Sequence, residues 1–103
     1  MSRFNSNLDT KLFEEIRAEL FELINLIEVK IDVGYILEEL EIITKKVKNL
    51  KKSETSIDTE MEELFNHFYK KYNTKPSSFL SEKEERKLTE VIKSWILKIA
   101  TIF

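Results

Sequence analysis

The chain has 103 residues, 42% of them apolar and 35% charged, which suits one small domain with a core and a charged surface rather than a disordered segment. It holds one glycine, one proline, one histidine and no cysteine. Those counts exclude a disulfide framework, thiolate metal sites, a cysteine nucleophile, a glycine-rich phosphate loop and a two-histidine metal face. The net charge of −2 is unevenly spread: residues 1–44 carry ten acidic and four basic side chains, residues 45–103 nine and thirteen. Such polarity suits pairing of the two halves, head-to-tail stacking of copies, or a basic face turned to a polyanion.

Four helical patterns cover nearly the whole chain. The first is expected to start at the Ser6–Asp9 cluster, where several side chains can cap a helix, leaving 1–7 frayed. Leu12, Phe13, Ile16, Leu20, Leu23, Ile24 and Ile27 recur at steps of three and four, and Phe21 and Leu26 widen the stripe. A helix apolar over so much of its girth is expected to be covered on two sides, by its own chain and by a partner.

The second pattern is the most regular. Val33, Ile36, Leu40, Ile43, Val47 and Leu50 follow a 3-4-3-4-3 spacing, an a/d seam of nearly three heptads. Between the two patterns the helical phase slips, with Asp32 offering a cap and Gly34 a break. Two helices joined here, or one long kinked helix, fit this segment. So does a strand, because Val29, Ile31, Val33 and Tyr35 alternate with Lys30, Asp32 and Gly34; it would need an intermolecular partner.

Residues 51–57 are a polar linker. The third helix is predicted from about Ile57 or Asp58, with Thr59 and Glu62 spaced as a capping box and a core face of Met61, Leu64, Phe65, Phe68 and Tyr72. A second linker, 73–80, contains Pro76, which disfavours helix in the residue before it. The fourth helix opens with a capping box at Ser81 and Glu84 and runs through Leu88, Val91, Ile92, Trp95, Ile96 and Ile99; Glu82, Arg86 and Glu90 form a charged i, i+4, i+8 ladder. The expected fold is all-α: one domain over 1–103, a small bundle of about four helices arranged as two hairpins, the N-terminal pair long or kinked.

Chemistry is sparse. His67 has Glu63 one turn before it, but it sits one step off its helix's apolar stripe, and a di-iron bundle needs two Glu-x-x-His motifs. The carboxylates fall mainly on polar faces, and the sequence singles out none of them by burial or a like-charged neighbour as catalytic. No catalytic residue, metal or cofactor is expected, and no small-molecule substrate. The strongest local signal is basic: Lys45, Lys46, Lys48, Lys51 and Lys52, five lysines in eight residues. They serve either as a solvated helix end favoured by the dipole or as a phosphate-binding patch without sequence preference. The aromatic-rich C-terminal half reads as core rather than as a cofactor box.

The sequence therefore points to a non-enzymatic assembly or accessory protein acting through protein–protein contacts, as a homodimer or as a small subunit of a larger complex. Phe21, Leu26, Val29, Trp95, Ile99, Ile102 and Phe103 are the expected interface. The alternative is a nucleic-acid-binding accessory protein using the lysine patch. No secretory signal and no apolar run long enough for a bilayer is read, so a soluble intracellular setting is expected. The excess of lysine and isoleucine over arginine and alanine suits an AT-rich genome or a thermophile.

Overall fold

The computed structural model describes residues 2–49 and 57–102, with side chains for 10–49 and 57–101. Its apolar residues recur at helical spacing, and the chain forms four helices: α1 (Ser2–Glu28), α2 (Val33–Lys48), α3 (Ile57–Tyr72) and α4 (Glu82–Ile102). No strand occurs among the described residues. α1 packs on α2 and on α4, and α2 packs on α3. α3 and α4 run antiparallel and close the bundle through side chains at both ends. Lys71 Nζ donates to Glu84 Oε2 at 2.7 Å and Tyr72 OH to Glu84 Oε1 at 2.7 Å; at the far end Lys98 Nζ reaches Glu60 Oε2 at 2.9 Å.

One continuous core fills the bundle. It takes Ile16, Leu20, Leu23, Ile24 and Ile27 from α1, and Met61, Phe68 and Tyr72 from α3. α2 contributes Val33, Ile36, Leu40, Ile43 and Val47, so its regular seam is spent inside the chain; Leu50, the last residue of that seam, lies outside the described residues. α4 contributes Leu88, Ile92, Trp95 and Ile99. Thr44, a polar residue buried among the described residues, is satisfied locally, its hydroxyl donating to the Leu40 carbonyl at 2.7 Å.

Helix boundaries differ from expectation in instructive ways. α1 starts at Ser2, ahead of the Ser6–Asp9 cluster, so those residues lie within the helix. It ends in a Schellman motif. Lys30 N–H donates to the Ile27 carbonyl at 3.1 Å and Ile31 N–H to Leu26 at 3.1 Å, with Lys30 at φ 59° in the left-handed position that glycine usually fills. The break is therefore at Lys30. The alternation at 29–35 is this turn followed by the first residues of α2, not a strand.

Asp32 does cap α2, its Oδ1 accepting from Tyr35 N–H at 3.0 Å. Gly34 lies inside the first turn at an ordinary negative φ and serves a different purpose. Val33 N–H donates to the Ser78 carbonyl and Gly34 N–H to the Pro76 carbonyl, each at 2.9 Å. A Cβ at residue 34 would lie 3.0 Å from both Pro76 Cβ and Pro76 O. The sole glycine thus lets the sole proline dock on the start of α2.

α3 begins at Ile57, which places Thr59 within the helix, and the Glu62 carboxylate meets Lys48 instead of closing a capping box. The Ser81–Glu84 box does form: Glu84 N–H donates to Ser81 Oγ at 3.2 Å, and Ser81 N–H to Glu84 Oε1 at 3.0 Å. Burial alone would raise the Glu84 pKa, but the hydrogen bonds from Lys71, Ser81 and Tyr72 prevail and hold it at about 2. No ion pair joins Glu82, Arg86 and Glu90, which sit exposed along α4. No helix among the described residues is long and apolar enough to cross a membrane.

Candidate functional site

The lysine-rich end of α2 is the first place to look, and each of its described lysines lies beside a carboxylate. Lys45 Nζ lies 3.4 Å from Glu41 Oε1 one turn back. Lys46 bridges to α1, bonded to Glu19 and 3.7 Å from Glu15 Oε2, and Lys48 bridges to Glu62 on α3. The hydrogen bond to Glu19 raises the Lys46 pKa, partly opposed by burial and assisted by the charges of Glu19 and Glu15. Lys51 and Lys52 lie outside the described residues. Three of the five lysines are thus inter-helix or intra-helix ties rather than a bare positive stripe. Lys71, on α3, is likewise held by a carboxylate, that of Glu84.

The described residues of the expected interface do not form one exposed apolar face. Phe21 is half exposed, with the Arg17 guanidinium 5.8 Å from its ring centroid, and Val29 is exposed at the end of α1. Leu26 is half-buried against the core. Trp95 and Ile99 are 0% and 1% exposed and belong to the chain's own core, so they offer a partner nothing. The apolar stripe of α4 carrying them is covered by the other helices of the same bundle. The Ile102 side chain and Phe103 fall outside the described residues.

A different surface emerges on the outer side of α2 and α3. Tyr35, Ile42 and Tyr69 are 50%, 44% and 49% exposed. Tyr35 and Tyr69 line one hollow of about 440 Å³ together with Phe65, Tyr72, Glu38 and Glu41. Its end is built by Asp32, Gly34 and Pro76, the contact that fixes the loop on α2. Phe65 and Tyr69 stack with centroids 5.6 Å apart, and Phe68 and Tyr72 with centroids 6.3 Å apart. Ile42 follows Tyr35 by seven residues and so shares its side of α2. Burial above all, then the hydrogen bond to Glu84, raises the Tyr72 pKa, so the phenol stays protonated in its role as donor.

Sequence reasoning passed over Tyr35 and Ile42 because the inner seam of α2 was so regular. The available signal was a second 3-4-3-4 series on the same helix: Tyr35, Glu38, Ile42, Lys45 and Asn49.

Among the described residues neither lysine nor arginine lines the hollow, whose remaining polar side chains are Asn73 and Ser77. His67 is exposed, edge-on to Phe68 at 5.3 Å, and borders a separate groove between α3 and α4 with Leu64, Lys87 and Val91. Among the described residues no group of three or more histidine, aspartate or glutamate side chains is placed to hold a metal ion. The chain matches no protein-family model, no curated protein and no solved structure.

Proposed function

We propose that this protein is a non-enzymatic helical assembly protein, working in solution inside the cell through protein–protein contacts, with self-association into a dimer as its simplest form. The observation that carries the proposal is the outer α2/α3 surface. Three large side chains, Tyr35, Ile42 and Tyr69, stay about half exposed there while every position of the inner α2 seam described is buried. Tyrosine-rich, partly apolar patches beside a shaped hollow are typical anchors of protein contacts. A cysteine-free composition suits a reducing compartment. Nucleic-acid binding gains less support, because Lys46 and Lys48 are tied to carboxylates of α1 and α3.

Sedimentation velocity over a concentration series tests the proposal. The wild-type chain is expected to associate at micromolar to sub-millimolar concentration, and Tyr35→Ser with Tyr69→Ser to shift the balance toward monomer. A wild-type chain that stays monomeric throughout refutes it.

A further inference from the structure

We infer that a second copy of this chain docks antiparallel on the outer face of α2, with the two Ile42 side chains meeting at the dyad and Glu38 of each copy set against Lys45 of the other. The self-association proposed above is the premise; the new content is the surface, the direction and the register.

α2 carries two seams. The inner one, Val33 to Val47, is buried in the bundle. The outer one is Tyr35, Glu38, Ile42, Lys45 and Asn49, exposed at every position. Residues at this spacing form one stripe along a helix, the geometry by which two helices pack side by side. Its centre is apolar, and its charges are segregated: Glu38 lies about one turn before Ile42, and Lys45 about one turn after.

That order is self-complementary in one direction only. A parallel pairing in register would set Glu38 against Glu38 and Lys45 against Lys45. An antiparallel pairing about Ile42 sets Glu38 against Lys45, and by the two-fold does so twice. Tyr35 then falls near the basic end of the facing helix, within reach of a cation–π contact. The helix dipole by itself accounts for acid early and base late in α2. It does not account for Ile42, a β-branched apolar side chain left 44% exposed between them.

The side chains needed are available. Glu38 takes part in no hydrogen bond or ion pair among the described residues. Among the described residues Lys45 is held only by Glu41 at 3.4 Å, with the two side chains 74% and 52% exposed, a pair of little energetic weight. Phe65 and Tyr69, on the α3 side of the hollow that Glu38 also lines, extend the contact beyond a single helix. A seam of this length falls toward the small end of specific interfaces, below about 1,200 Å² of buried surface, so the dimer is weak and reversible.

The test is charge reversal, read by sedimentation velocity at low ionic strength on the full chain, with Trp95 fluorescence confirming that each variant is folded. Glu38→Lys and Lys45→Glu are each expected to weaken self-association by about tenfold or more, by placing like charges opposite one another twice. The double variant restores it, and so does an equimolar mixture of the two single variants, which pair with each other. Because the chain has no cysteine, Ile42→Cys is expected to give a disulfide-linked dimer under mild oxidation, while Leu97→Cys, on an exposed position of α4, gives far less. A dimer indifferent to both reversals and not trapped by Ile42→Cys overturns this register yet leaves self-association standing. A wild-type chain monomeric at every concentration overturns both.

Discussion

Gly34→Ala sets two well-defined effects against each other. Alanine is the better helix former by up to about 1 kcal/mol, a gain that is smaller in a first turn. Against it stands the space at residue 34, where an added Cβ meets Pro76 Cβ and Pro76 O at 3.0 Å. The proline cannot easily retreat. Its carbonyl accepts from Gly34 N–H at 2.9 Å, the Ser78 carbonyl accepts from Val33 N–H at 2.9 Å, and Ser78 N–H donates to Lys75 O at 3.0 Å. Weakening the Gly34–Pro76 hydrogen bond costs about 0.5–1.5 kcal/mol, and forcing a methyl into a filled space costs about 1–3 kcal/mol. The net expectation is a loss of about 1–2 kcal/mol, which for a domain of this size lowers Tm by roughly 5–15 °C.

Urea unfolding followed by fluorescence measures this directly, because Trp95 is the sole tryptophan and is fully buried. Pro76→Gly removes one of the two atoms in the way. The double variant is therefore expected to be less damaged than the sum of the single changes, by about 0.5 kcal/mol or more. An alanine variant as stable as the wild type, or more so, refutes the steric account and shows helix propensity in command.

Two further outcomes follow from the helix ends. Lys30→Gly relieves a lysine held at φ 59°, and is expected to stabilise the chain by about 0.5 kcal/mol once the flexibility of glycine in the unfolded chain is subtracted. The lost Lys30–Glu85 contact is too exposed to reverse the sign, and a lower urea midpoint would contradict this. Glu84, held at about 2 from an ordinary 4.5, binds its proton less readily when folded, so its contribution is complete above about pH 4.5 and is lost as pH falls toward 2. Glu84→Gln is expected to cost about 1–2 kcal/mol at neutral pH and much less near pH 2; an equal cost at both pH values would rule out the charged carboxylate as the source.

Local rules made most of the fold legible before any coordinates. The four stripes, the Asp32 cap, the Ser81–Glu84 box and the inner α2 seam all depend on spacing along one helix, and all are present. Where tertiary contacts decide, the sequence misled. A lone glycine at a phase slip suggested the chain reversal. Instead the left-handed residue is Lys30, and Gly34 answers to a proline far along the chain. The apolar stripe through Trp95 and Ile99 has the same pattern whether a neighbour helix or a second subunit covers it, and the neighbour does. The lysine cluster likewise showed its charges but not the carboxylates of α1 and α3 that fold beside them.

The docking of the loop on α2 also bears on how the molecule comes apart. The first two amides of α2 are satisfied not by their own hairpin but by carbonyls of Ser78 and Pro76, from the other half of the chain. An N-terminal hairpin opened on its own would leave those donors without their partners, and a C-terminal hairpin released from it would lose the support that shapes its entry loop. Each half leans on the other for backbone bonds, and the glycine–proline contact is a clasp that couples their melting.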